Sequence, residues 1–244
     1  MSTAAPAPPP AQDYRPVIAK GVRRLVAGAM LGLDGAKLDA LMAELYSVAA
    51  QTFRSLAEKD PPKRTIACKE GCSYCCHLYV QVTPLEAVHL ARALRARLSA
   101  EELADLQARL AYSHARVRGK NAGARMVMGL PCPLLKDGRC SSYAERPFVC
   151  RGANSADVGA CEKGLGHATG VPVPMYIHQR NVYAAVGQGV ADGLRDAGQR
   201  PHLLELIAAL RLALEHDDPY RAWRSGKLDF STAACVEAAI RPRF

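Results

Sequence analysis

Residues 83–102 read TPLEAVHLARALRARLSAEE, and this stretch sets the fold class. Thr83 can accept a hydrogen bond from the backbone three residues ahead, Pro84 loses nothing at the first helical position, and Glu86 can reach back to the Thr83 N–H. Together they start a helix that runs to about Leu98. Ser99 and Glu102 repeat the arrangement at once, so a second helix begins where the first ends and continues to about Val117. Acids stand at its start and Arg109, Arg116 and Arg118 toward its end, as the helix dipole prefers. The spacing predicts a helical hairpin.

Working outward, the same periodicity recurs. From Asp34, an N-cap, the residues Leu38, Leu41, Leu45, Val48 and Phe53 form one apolar face of a helix ending near Glu58, where Asp60-Pro61-Pro62 stops it. Val17 to Met30 makes a basic amphipathic helix with Lys20, Arg23 and Arg24 on its polar side. Pro174 to Leu194 and Leu203 to Leu214 give two more, and a short final helix is expected near Ser231 to Ile240. No alternating strand pattern of useful length is present. The expected architecture is all-α: a helical bundle with two irregular cysteine-rich loops, residues 62–82 and 126–170, converging on a metal site. Residues 1–16 hold five prolines and form a disordered Pro/Ala-rich tail, leaving 17–244 as a single helical domain whose cysteine core spans 62–170.

Composition narrows the function classes. Among 244 residues, 49% are hydrophobic and 23% charged, which excludes wholesale disorder and collagen-like or coiled-coil chains. The net charge of +9 comes from basic residues spread over nearly every helix without interleaved aromatics, so nucleic acid is not the expected partner. No secretory leader and no apolar run of the roughly 18–20 residues a membrane span needs can be read, so a cytoplasmic location is expected. Thiols stay reduced there, and a dense cysteine set then reads as metal-binding rather than disulfide-bonded.

Eight of the nine cysteines fall between residues 68 and 161. Cys68, Cys72, Cys75 and Cys76 follow a C-x3-C-x2-C-C spacing, with Gly71 allowing a tight backbone. Cys132, Cys140 and Cys150 form the second group, and Asp137-Gly138 signals a turn that folds Cys132 and Cys140 toward each other. Adjacent side chains such as Cys75 and Cys76 rarely face one ion, so the two loops are expected to share ligands. An all-thiolate set suits tetrahedral zinc or a [4Fe-4S] cluster, and the scarcity of histidine favours iron–sulfur. Arg146 and Arg151 flank Cys150 and are candidates for offsetting thiolate charge or holding an anionic substrate. C-x3-C-x2-C is also the spacing of radical S-adenosylmethionine enzymes, but the strand-helix alternation of their barrel is missing. Cys235 reads as a small buried residue.

Four blocks in fixed order resemble the YkgJ-type cysteine-cluster family, described as zinc- or iron-chelating: Cys68-x3-Cys72-x2-Cys75-Cys76; Val82-Thr83-Pro84-Leu85-Glu86; Cys132-Pro133-Leu134-Leu135 with Gly138 and Cys140; and Tyr143-x2-Arg146-Pro147-x2-Cys150-Arg151. The resemblance implies that Cys68, Cys72, Cys75, Cys76, Cys132, Cys140 and Cys150 form the chelating set. Cys161 lies outside the pattern and joins the candidates by its place in the cluster. A similar arrangement occurs in the longer flagellin lysine methylases, which implies protein modification as the first reaction class to test. The alternative is a zinc-stabilised helical module that binds a protein partner without catalysis.

Overall fold

The computed structural model describes residues 13–166, 171–200 and 203–235. Its ten helices among these residues are α1 (Arg15–Ala29), α2 (Gly35–Lys59), α3 (Pro84–Arg97), α4 (Ala100–Val117), α5 (Ala122–Met128), α6 (Phe148–Gly152), α7 (Val158–Gly164), α8 (Ile177–Asp196), α9 (Leu206–Leu214) and α10 (Pro219–Arg224). The mostly helical architecture agrees with the sequence pattern. Both capping boxes form, at Thr83/Glu86 and at Ser99/Glu102, and Asp34 caps α2 by accepting from Lys37 N–H at 2.8 Å. None of the helices among the described residues is long and apolar enough to cross a membrane.

The departures have local causes. Helices α5, α6 and α7 lie at the edge of or inside the second cysteine segment, and at seven, five and seven residues they are too short to write a periodicity. The caps of α5 and α7 are the legible signal: Asn121 and Asp157 accept from the backbone three residues on, whereas α6 has no side-chain cap. The same holds for α10, where Asp218 caps and Pro219 follows. Two two-residue ladders also form, β1 (Gln81–Val82) with β4 (Leu204–Glu205) and β2 (Leu135–Lys136) with β3 (Arg139–Cys140), both antiparallel. Leu204 and Glu205 are therefore strand, and α9 starts at Leu206 because Glu205 caps it through Ala208 N–H. Arg15 and Pro16, assigned to the tail, instead open α1. Tyr14 is the N-cap of that helix, while residues 1–12 of the tail and residues 236–240 of the expected last helix lie outside the described residues. The part of that helix that is described is a 3-10 turn, Ser231–Ala233.

One hydrophobic core draws on residues from Val22 to Ala233. Within it α8 packs on α1, α2 and α6, and α9 packs on α3 and α4. The α1–α8 crossing is close because Gly189 and Gly193, one turn apart, let the backbones meet. A Cβ at Gly189 would lie 2.7 Å from Ala19 O, and one at Gly193 would lie 2.8 Å from Arg23 O. Arg23 closes the contact with two bonds to Asp196, at 2.6 and 2.7 Å.

This crossing generates a stability prediction. Gly193→Ala should lower thermal stability by about 1–3 kcal/mol, the usual cost of overpacking. Arg23→Ala, which removes a solvent-exposed ion pair, should leave the melting temperature nearly unchanged in the same melts.

Candidate metal centre

The first cysteine segment, residues 61–73, has no regular secondary structure, and a 3-10 turn at Tyr74–His77 follows it. Gly71 sits at φ 84°, a left-handed conformation that glycine adopts without strain. In the second segment Asp137 (φ 50°) and Gly138 (φ 74°) make the tight turn that folds β2 onto β3 and sets Leu135 opposite Cys140.

Four contacts bring the segments together. Cys132 N–H donates to Cys76 C=O at 2.7 Å, and Arg139 pairs with Glu70 at 3.3 Å. A Cβ at Gly138 would stand 4.0 Å from Gly71 O, so the two turns face each other closely. Ala67 N–H donates to Ser155 C=O at 2.8 Å, tying the first segment to the chain between α6 and α7. Helix α6 carries Cys150, and α7 carries Cys161 and packs on the Tyr74–His77 turn.

The position of α6 depends on Glu86, a buried residue of α3. Its Oε2 accepts from Thr83 N–H at 2.8 Å and from the Thr83 hydroxyl at 2.9 Å, while its Oε1 accepts from Phe148 N–H, the first residue of α6, at 2.9 Å. Burial pushes the Glu86 carboxyl up from the ordinary range, against these donors and the nearby charge of Arg151.

The thiols influence one another in two overlapping groups. Burial raises the Cys68 thiol, and its neighbours Cys72, Cys75 and Cys161 raise it further. Burial likewise raises Cys150 well above its ordinary value, with Cys132, Cys75 and Cys140 adding to the effect. Cys132 is pushed up to about 12, chiefly by burial and then by Cys140 and Glu205. Cys75 belongs to both groups and goes the other way: the Cys76 thiol donates to it and the charge of Arg146 assists, which together lower it despite burial. Cys76 holds its proton as the donor of that pair. All eight clustered cysteines thus lie in one region.

Backbone amides are aimed at several sulfurs. Ser155 N–H donates to Cys68 Sγ at 3.2 Å, and the amides of Leu134 and Ser142 favour the ionised forms of Cys132 and Cys140. Such donors favour the thiolate over the thiol and are one of the means by which proteins tune a metal–sulfur site.

The two arginines named from sequence separate here. The charge of Arg146 reaches Cys75, Cys140 and Cys150, and its guanidinium stacks on the Tyr143 ring at 3.6 Å. Arg151 turns elsewhere: it donates to the carbonyls of Arg146 and Ala144 and stacks on Tyr46 at 3.7 Å. His77 bonds back to Ser73 C=O at 3.2 Å, and His178 bridges Tyr14 and Asp60 at 2.7 Å on each side. Cys235 stands apart from the cluster, beside Tyr79 and Gln81.

One charged residue beside the cysteines was missed. Arg125 of α5 is 2% exposed; burial lowers its pKa, and the charges of Glu205, Cys132 and Tyr79 act against that. Its Nε and Nη1 have no hydrogen-bond partner, and it makes no ion pair. Sequence could have flagged it only as a basic residue on a short apolar helix, between Ala124 and Met126.

Residues 67–166 match the CxxCxxCC family, described as "Putative zinc- or iron-chelating domain". This is the cysteine-cluster grouping that the sequence resembles. The match covers less than half of the chain and reaches past Cys150 to include Cys161. No curated protein and no solved structure matches the chain.

Among the described residues, no three His, Cys, Asp or Glu side chains are gathered as a finished ligand shell. The donor set nonetheless fits the CxxCxxCC description: the thiols of both segments act on one another, a backbone amide donates to Cys68, and the charge of Arg146 reaches Cys75, Cys140 and Cys150.

Two predictions follow from this geometry. Glu86→Ala leaves Phe148 N–H and Thr83 N–H without their partner and should cost about 1–3 kcal/mol for a stranded buried donor, read as a lower urea midpoint. In metal-free protein at pH 7, iodoacetamide should modify Cys75 before Cys132, since the first is shifted toward thiolate and the second, at about 12, stays protonated. Peptide mass spectrometry reads the order, and faster labelling of Cys132 would contradict the electrostatics described.

Proposed function

We propose that the chain is a metal-binding protein whose two cysteine segments hold one thiolate centre between them, an iron–sulfur cluster in preference to zinc. The observation that carries this reading is the 2.7 Å bond between Cys132 N–H and Cys76 C=O, which sets the second cysteine group against the first. Cys75, Cys76, Cys132, Cys140 and Cys150 form one side of the centre, and Cys68, Cys72 and Cys161 extend it beyond Cys75. Iron–sulfur is preferred because the donors are all soft thiolates and the one adjacent imidazole, His77, is engaged with the backbone.

A bound cluster would supply electron transfer or an open iron for substrate activation. The chain's own residues do the rest. The amides of Leu134, Ser142 and Ser155 stabilise negative sulfur, and Arg146 offsets charge on the Cys75 side. Modification of a protein substrate is the reaction class to assay first, on the resemblance to flagellin lysine methylases.

A zinc-stabilised interaction module with a protein partner is the second reading. It is favoured by the lack of regular structure over residues 61–73, which a metal would have to order. Structural zinc contributes roughly 10–16 kcal/mol in small domains, comparable to the net stability of a whole domain.

Metal and acid-labile sulfide content, measured on protein purified without oxygen, tests the proposal. A brown protein with iron and sulfide supports the cluster, and a colourless one with stoichiometric zinc selects the module. Cys72→Ser and Cys150→Ser should each lower bound metal while Cys235→Ser leaves it unchanged. Absence of both metals, or full occupancy in Cys150→Ser, would overturn the shared centre.

A further inference from the structure

Away from the cysteines, α2, α3, the chain before α6 and the chain between α9 and α10 border an open cleft of about 420 Å³. That lies within the range of about 300–1,000 Å³ usual for small-molecule sites. Ala43 of α2, Ala93 and Ala96 of α3, and Ala144 leave the space and line it with methyl groups. Its polar wall is built around His89 of α3, which is 8% exposed.

His89 Nδ1 lies 2.9 Å from Asp39 Oδ1, and Asp39 Oδ2 accepts from Arg92 at 3.2 Å. A carboxylate accepts, so Nδ1 carries the proton and, in the neutral ring, Nε2 presents a lone pair. Nε2 makes no hydrogen bond among the described residues and is not one of the sealed unpartnered atoms, so it opens into the cleft. Two further carboxylates border the space from other elements. Glu145 Oε2 accepts from Arg97 at 3.2 Å and Asp217 Oδ1 from Arg95 at 3.1 Å, which leaves one oxygen of each without a partner among the described residues. The donors on the wall are already occupied. Arg95 directs its terminal nitrogens at Asp217 and Leu214 C=O, Arg92 faces Asp39 and Asp218, and Nε of both is sealed from solvent. The open positions are therefore acceptors, and a ligand that fits must donate.

We propose that this cleft binds a small organic polycation, a di- or polyamine, whose ammonium groups donate to His89 Nε2, Glu145 and Asp217 while its methylenes lie on the alanines. Asp39 is the positioning residue that turns the His89 lone pair outward. Carboxylates on three separate elements around the space suit a ligand with more than one ammonium group. The site uses no cysteine and stands independently of the metal-centre reading. A chain of net charge +9 repels polycations as a whole, so their binding requires a local arrangement of this kind.

The test titrates spermidine into the full-length protein, isotope-labelled at histidine, at low ionic strength and pH 8. Long-range proton–nitrogen spectra read the imidazoles, and calorimetry reads the affinity. Spermidine should shift the His89 Nε2 resonance to saturation, the signal being assigned by its loss in His89→Gln. Asp217→Asn and Glu145→Gln should each weaken binding by about 3–10-fold, as expected for one charged hydrogen bond at a partly exposed site. Asp105→Asn, an exposed carboxylate of α4, should leave it unchanged. Asp217 is fully exposed, so its variant tests the site without risk to the fold. Inorganic phosphate should not move His89. A phosphate shift in place of a spermidine shift would make the arginines the recognising groups and overturn the proposal. So would equal spermidine affinity in the parent and both carboxylate variants, the mark of diffuse surface attraction. The absence of any saturable shift at His89 would also overturn it and leave the metal centre untouched.

Discussion

The Glu86 carboxylate joins the helical scaffold to the cysteine region. One oxygen closes the capping box of α3 and the other holds the first amide of α6, the helix that carries Cys150. A buried carboxylate is tolerated only because every bond it makes is to a positioned donor. The register of α6 against α3 follows from those bonds. So does the approach of α6 to α8, where Gly152 would bring a Cβ to 3.2 Å from Tyr183. From there the close α1–α8 crossing completes the core.

Charge balance is the second theme of the molecule. Buried thiols are driven toward the protonated state, and Cys132 and Cys150 illustrate it. Opposing that pressure are the charge of Arg146 on the Cys75 side and backbone amides near the sulfurs, the Ser155 amide on Cys68 among them. Thiolate charge and arginine charge are each costly in the interior alone and compensate each other together.

Much of the scaffold was legible because its signals are local. Capping boxes act within four residues, apolar stripes repeat within one helix, and Asp137-Gly138 is a turn wherever it occurs. What escaped was either too short to show a period, as in α5, α6 and α7, or needed a distant partner, as in the pairing of Gln81–Val82 with Leu204–Glu205. The two arginines beside Cys150 looked alike in sequence. Their fates differ because Tyr46 of α2 captures one and Tyr143 the other.

The sequence by itself determined the helical class, the stops and starts of the long helices, and the presence of two cysteine groups whose spacing suits chelation, since each depends on neighbours along the chain. Only the tertiary structure decided that Cys132 meets Cys76, that Arg146 rather than Arg151 acts on the thiols, and that Arg125 is buried. Burial and Coulomb interactions act through space, between residues whose separation along the chain carries no information about their distance.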